Sequence, residues 1–392
     1  MPESIWPLDH LFTVPETYPA SEFATPDVSA LYFDGMPYQG KPTRVFAYYS
    51  PPSVPVDGLA PGIVLVHGGG GTAFADWVRL WNARGYAAIA MDLNGSVPTG
   101  EYNKWDRHEW GGPSGISFPG TGAFEQIDQP ITDQWYYHGV SAVIRAHSLL
   151  RSMPGVDPAR IGVTGISWGG YTTCIAIGLD HRFKFAVPVY GCGFIEEHSF
   201  WEPEFAKMTP QNRTKWATLW DPKQYLPDAT LPILWVTGTN DFAYPLPSLQ
   251  RSYNAAPGPQ TRCIRIRMPH GHGGAGENPL EIRVFADSIV KSGAPLLSVI
   301  SSEQSDNSIA TTYAAPLPVT RAELAYTVSD NADWQQREWE SAPAAIDTET
   351  RTVTAAIPSG ATTAYLNLID SRDCLVSAPH VEIQQVHRLR YE

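Results

Sequence analysis

The chain is short of cysteine, short of positive charge and without any long apolar run. Its four cysteines, Cys174, Cys192, Cys263 and Cys374, stand far apart with no Cys-x-x-Cys pairing. That spacing excludes a disulfide framework and a cysteine zinc site. They read as small buried hydrophobes, with a Cys192–Cys263 bridge left open as the alternative. Lys and Arg number 27 against 40 Asp and Glu, a net charge of −13, which argues against a nucleic-acid partner because phosphate binding needs basic faces. No block of like charges suggests a tail. No stretch approaches the roughly 18 consecutive apolar residues of a membrane span. The opening "PESIWPLDHLF" has neither a basic start nor an apolar segment, so no signal peptide is expected in this sequence. A cytoplasmic protein fits, and so does a secreted one whose signal has been removed. No internal repeat or low-complexity tract is present, and nothing sets an oligomeric state.

What is present suits an ordered globular protein: 43% hydrophobic and 17% charged residues, in a length that accommodates two domains. "TRVFAYYSPP" (43–52) reads as an early strand ended by prolines, and "GIVLVHGGGG" (62–71) as a strand running into four glycines. Short continuous apolar runs of this kind belong to strands buried on both faces. A helix over 73–85, a strand over 86–93, a helix over 135–153, a strand over 160–166 and a helix over 168–179 follow. Strands at 183–191, 231–238 and 261–268 then alternate with helices at 246–256 and 278–291. The alternation predicts a doubly wound, mostly parallel α/β sheet.

Two segments interrupt it, about 94–134 and 192–230, both rich in aromatics and without clear periodicity. Irregular segments of that length are usually functional loops or lids. Their tryptophans, Trp105, Trp110, Trp201, Trp216 and Trp220, either stack on a sugar or aromatic acyl group or form the lids' own core. The texture changes after the α/β domain, taken as 1–295. Residues 296–318 read as a polar linker, and 319–392, with short alternating segments between turn signals, as an antiparallel, immunoglobulin-like β-sandwich domain. That domain either binds carbohydrate or braces its neighbour. Trp334 and Trp339 are five residues apart and need not share a strand face, which favours bracing.

In "RIGVTGISWGGYTT" (160–173), Ser167 sits between Gly165 and Gly169 where a strand gives way to a helix. Gly-x-Ser-x-Gly in that context is the nucleophile-elbow pattern. Glycines leave room for a sharp turn that lifts the hydroxyl over the carboxyl end of the sheet, and the next helix aims its N-terminus at the site. A serine needs a base, and the base an orienting carboxylate. "WVTGTNDFAYP" places Asp241 in a glycine-containing loop after a later strand, where it serves as that acid or caps the following helix. "RIRMPHGHGG" offers two histidines after the last strand. His272 is favoured as base, because Gly271 and Gly273 flank it and it lies four residues beyond Met268; His270, two residues beyond, is the alternative. The other histidines outside these motifs read as surface or structural residues. An oxyanion hole would take the backbone N–H of Trp168 and a second one from "HGGGGTAF", at Gly70 or Gly71, with Thr72 also possible.

On these residues the chain resembles the α/β-hydrolase superfamily. "VHGGGG", "GYAAIAMDLNG", "GISWGG", "GTND" and "PHGHGG" look closest to its dienelactone-hydrolase, acetyl-xylan-esterase and prolyl-oligopeptidase-like branch. "DWQQREW…IPSGATTAYLNLIDSRDCLVS" is similar to the β domain of PhoPQ-activated pathogenicity-related proteins. The resemblance implies a serine hydrolase needing no metal and no cofactor, with Ser167 as nucleophile, Asp241 as acid and His272 as base. It implies a small-molecule or saccharide ester as substrate, cleaved through an acyl-enzyme. HGGGG stands where dedicated carbohydrate acetyl-xylan esterases carry RGQ. A peptidase is the alternative, with Glu196 and Glu197 as candidates to hold a peptide amine. A catalytically silent binding protein is disfavoured by the intact Ser, Asp and His.

Overall fold

The computed structural model describes residues 5–53, 58–99, 104–113, 115 and 122–383. Strands β1 (Thr17–Pro19), β2 (Ser29–Asp34), β3 (Arg44–Ser50), β4 (Ala60–Val66) and β5 (Ala87–Met91) open the chain. A small hairpin, β6 (Ser96–Pro98) and β7 (Trp105–Arg107), precedes β8 (Val156–Ile166), β9 (Ala186–Val189), β10 (Ile233–Gly238) and β11 (Gln260–Arg265). Except for the hairpin, these strands form one sheet in the order β1-β2-β3-β5-β4-β8-β9-β10-β11. From β5 to β11 neighbours run parallel, and β1–β3 extend the sheet antiparallel.

Every residue of β4, β5 and β9 is buried, as strands covered by helices on both faces must be. The helix Trp168–Leu179 is buried along its whole length, which explains why it is apolar all round rather than amphipathic. All four cysteines are free and buried; Cys192 and Cys263 form no bridge.

The second interrupting segment is not irregular: it carries helices Glu202–Lys207 and Pro210–Leu219, the latter capped by the Thr209 side chain, and it packs against the first segment. Phe124, from the first, lies 4.8 Å from Phe205 and 5.4 Å from Trp216 of the second. Trp201, Trp216 and Trp220 are almost wholly buried and pack on Trp168, Tyr136 and Tyr171, so these three join the core rather than offer an exposed stacking surface. Trp110 is more exposed and carries the Arg44 guanidinium over its ring. Tyr102 and Phe118 lie outside the described residues.

Residues 296–318, expected as a linker, instead carry β12 (Ser298–Gln304) and β13 (Ser308–Ala314), an antiparallel pair. Ser and Thr on these strands bond across the pair, as in Ser301–Thr312 and Ser302–Thr311. The polar composition therefore belongs to paired strands, with Ser–Thr bonds on both faces. Strands β14 (Val319–Thr327), β15 (Glu340–Pro343), β16 (Ala345–Asp347), β17 (Thr352–Ala356), β18 (Thr363–Asp370), β19 (Leu375–Ser377) and β20 (Val381–Glu382) follow. They complete two antiparallel sheets, β12-β13-β17-β16 and β15-β14-β18-β19, with β20 also on β18.

All of β18 is buried because it has neighbours on both faces. Tyr365 reaches the Ile264 carbonyl on β11, the edge of the large sheet. Ser377 accepts the Ile264 amide and offers its carbonyl to Arg262. The exposed edge that β11 would present is thus covered. Asn240 Nδ2 donates to the carbonyls of Trp334, Gln335 and Arg337 at 3.3, 2.9 and 2.6 Å. Arg267 donates to the same Arg337 carbonyl at 3.2 Å. Removing the amide at Asn240 leaves these carbonyls short of a donor, so Asn240→Ala should lose about 1–3 kcal/mol in chemical denaturation. An unchanged midpoint would show that the contact contributes nothing.

Candidate active site

The β8 strand delivers Ser167 into a sharp turn at φ 57°, ψ −121°, a region that costs an L-residue strain. Glycine is required on either side: a Cβ on Gly165 would meet the carbonyl of Gly169, and one on Gly169 the carbonyl of Val66. The Ser167 amide donates to Val189 at 2.8 Å, and its carbonyl accepts the first helical bond from Tyr171 at 2.9 Å. The turn is held from both ends.

His270, not His272, faces this serine. Its Nε2 lies 2.8 Å from Ser167 Oγ and its Nδ1 2.7 Å from Asp241 Oδ2. An ionised carboxylate only accepts, so Nδ1 carries the proton and Nε2 is left to accept from the hydroxyl. The second Asp241 oxygen, Oδ1, accepts the amides of Ala243 and Tyr244 at 2.9 and 2.8 Å. Those bonds fix a fully buried side chain. The His270 ring lies between Tyr190, at 4.6 Å and nearly parallel, and Phe242 at 4.7 Å. Tyr190 also donates to the Pro269 carbonyl at 2.6 Å.

The preference for His272 fails because β11 ends at Arg265 rather than Met268. The loop starts three residues earlier than the sequence suggested. Arg267, at φ 50°, turns it, and Pro269 is already on its return. His272, on the same loop, turns to the glycine loop instead: its Nε2 accepts the Gly68 amide at 3.0 Å and its Nδ1 meets Glu277 Oε1 at 2.9 Å. Glu277, five residues further on, carries no periodic or motif signal and was not legible in the sequence.

The glycine loop lies beside the serine: a Cβ on Gly68 would come 3.2 Å from Ser167 Cβ. Gly71 is a poor second oxyanion donor because its N–H is engaged by the Gly68 carbonyl at 3.1 Å. Thr72 Oγ1 is turned away, onto Asp92. Gly70 offers its carbonyl to Trp105 Nε1 at 3.0 Å, which brings one tryptophan of the first insertion onto this loop. The Trp168 amide opens the helix after Ser167, where N–H groups lack helical partners. Among the described residues, no three His, Cys, Asp or Glu side chains gather as a metal site. No described helix is long and apolar enough to cross a membrane.

Residues 120–283 match the model of the prolyl oligopeptidase family, and residues 16–196 that of acetyl xylan esterase. Each match spans less than half of the chain. A curated relative, the uncharacterized peptidase YuxL of Bacillus subtilis (strain 168), is 25% identical over 226 residues. That alignment covers 53% of this chain and 30% of the relative, so the chain spans about a third of that protein. An acetyl xylan esterase from Paenibacillus sp. R4 superposes with a TM-score of 0.56 at 21% identity, covering 72% of this chain and 92% of that one. Acetyl xylan esterase 1 of Thermoanaerobacterium sp. gives 0.51 at 18% identity, covering 68% and 89%. Pyrococcus horikoshii acylaminoacyl peptidase gives 0.50 at 20% identity, covering 68% and 42%. The fold is that of the α/β-hydrolases, and the chain resembles their serine hydrolases.

Behind the glycine loop lies a buried polar pair. His67 is neutral: burial pushes its pKa down to about 3, its Nδ1 donates to the Gly68 carbonyl at 2.7 Å, and its Nε2 accepts the Leu93 amide at 2.8 Å. Asp92, 3.7 Å away, is pushed up to about 7 by burial, against the pull of the Ser96 and Asn94 amides and Thr72. Between the ordinary carboxyl range near pH 4 and pH 7, the folded protein keeps a proton that the unfolded chain has released. This group therefore lowers stability as pH rises through that window. Asp92→Asn retains an oxygen for the two amides and an N–H for Thr72 Oγ1. Its stability relative to wild type should rise with pH from about 4 to about 7, by up to about 1.4 kcal/mol per unit. Parallel pH profiles in urea unfolding would contradict this.

Proposed function

We propose that this chain is a carboxylic ester hydrolase working through an acyl-enzyme, with Ser167 as nucleophile, His270 as base and Asp241 as the acid. The observation that carries the reading is the unbroken hydrogen-bond series from Asp241 through His270 to Ser167 on a strained turn. His270 Nε2 takes the hydroxyl proton as the oxygen attacks the ester carbonyl. Asp241 keeps the ring oriented and stabilises the imidazolium. His270 then protonates the leaving alcohol, and a water deprotonated by the same nitrogen releases the acid. The Trp168 amide and an amide of the glycine loop hold the oxyanion. With Gly71 engaged, Gly69 takes the place expected for Gly70 or Gly71. The aromatic insertions roof the pocket, with Trp105 held on the glycine loop. Esters of short acyl groups, on carbohydrate alcohols among others, are the substrate class. Residues 1–295 are the catalytic unit, and the C-terminal sheets form a sandwich that braces it.

The peptidase reading has less support from the charges. Glu196 is paired with Lys223 at 3.1 Å and Arg213 at 3.9 Å, and Glu197 with Arg251 at 3.2 Å. Neither carboxylate is held in reserve for a peptide amine.

Hydrolysis of p-nitrophenyl acetate should exceed that of aminoacyl p-nitroanilides by orders of magnitude, and acetylated xylo-oligosaccharides should lose acetate. Comparable amide cleavage would overturn the ester assignment. Ser167→Ala and His270→Ala should each lower kcat by about 10⁴-fold or more. An active His270→Ala variant would remove His270 from proton transfer.

A further inference from the structure

The "PHGHGG" segment holds two histidines that each make a charge-oriented contact, and only His270 touches Ser167. His272 is set in the same way as a catalytic imidazole, with a carboxylate on Nδ1, yet its Nε2 meets a backbone amide. Its side chain is nearly buried, with Phe74 at 4.5 Å and Trp77 at 5.5 Å between ring centroids. Because Glu277 accepts at Nδ1, the ring presents a lone pair at Nε2, and the Gly68 N–H donates to it at 3.0 Å.

The partner of that bond sits at the hinge of the oxyanion loop. The Gly68 amide fixes the His67–Gly68 peptide. The Gly68 carbonyl accepts from His67 Nδ1 and from the Gly71 amide at 2.7 and 3.1 Å, which fixes the Gly68–Gly69 peptide. In a planar trans peptide the N–H points opposite the carbonyl. Holding the Gly68 carbonyl on the His67 side therefore aims the Gly69 N–H to the other side. Gly68 has no Cβ and packs 3.1 Å from the Ile166 carbonyl, measured from where that atom would be. Its peptides are thus the ones that run past Ser167.

We propose that His272, oriented by Glu277, is a positioning residue that locks Gly68 and so aims the Gly69 amide at the developing oxyanion. The proposal rests on the serine-hydrolase reading above. It assigns the second histidine a task that touches neither the transferred proton nor the substrate: the donor is set before the negative charge develops, which is where such electrostatic stabilisation gains its effect.

The test compares His272→Ala, His272→Gln and Glu277→Gln with wild type. The readouts are kcat and KM on p-nitrophenyl acetate, inhibition by an alkyl trifluoromethyl ketone, and fluorophosphonate labelling of Ser167. His272→Ala should lower kcat about 10- to 100-fold, with KM within about twofold. Trifluoromethyl ketone affinity should fall in the same proportion, because that adduct carries the oxyanion. Gln offers an amide oxygen to Gly68 and should recover most of the loss. Glu277→Gln should fall between, and it supplies the same comparison should the Ala variant not fold. Unchanged kinetics in the variants, a rise in KM alone, or loss of activity as complete as in His270→Ala would each overturn the proposal. Failure of wild-type Ser167 to label would overturn the serine-hydrolase reading itself, and the proposal with it. Normal wild-type labelling with unaltered variants overturns the proposal alone.

Discussion

The backbone around Ser167 comes closer to its neighbours than any side chain would allow. Gly165 lies against Gly169, Gly169 against the Val66 carbonyl, and Gly68 against Ser167 itself. These contacts bring the end of β4, the end of β8 and the start of the following helix to one point. The strain at Ser167 is sustained because both ends of the turn are pinned, by Val189 on one side and Tyr171 on the other. Once that point is set, the remaining groups of the site need only reach it from loops.

Each of those loops is held by something distant in sequence. Thr239 Oγ1 bridges the loops that carry Asp241 and His270, accepting the Arg267 amide at 3.1 Å and donating to Asn240 Oδ1 at 2.7 Å. Asn240 and Arg267 in turn fasten to the turn at residues 334–337. The C-terminal sheets are therefore connected to the Asp241 and His270 loops by hydrogen bonds, and not only by packing. On the opposite side, His67 and His272 hold Gly68. The surroundings of Ser167 are thus held by polar groups that do not touch it.

The aromatic insertions obey a simpler logic. Trp216 and Trp220 stack among Tyr136, Tyr171 and Phe205, and Trp201 lies 4.6 Å from Trp168. The helices of the second segment are short, and large rings burying much area each supply the cohesion that a sheet would otherwise provide. One consequence is that the residue following Ser167, Trp168, anchors the insertions to the helix that starts there.

Local pattern was enough for the α/β alternation, for the elbow at Ser167, for an acid after β10 and for a histidine after β11. Buried parallel strands are continuously apolar, and tight turns demand glycine, so both leave marks in nearest-neighbour order. The choice between His270 and His272 was not legible, because it turns on where β11 ends. That end is set by pairing with β10 and by the positive φ of Arg267, not by composition. Residues 296–318 misled for a related reason: a strand rich in Ser and Thr on both faces reads as linker until its partner is known. Asn240 acquires meaning only through contacts about a hundred residues away, and Glu277 only through His272, whose other partner, Gly68, lies 204 residues back. The order of residues thus determined which chemical groups this protein has and which secondary structures carry them. Only the folded chain decided which histidine meets the serine, since that depends on a few ångströms of loop path fixed by tertiary hydrogen bonds.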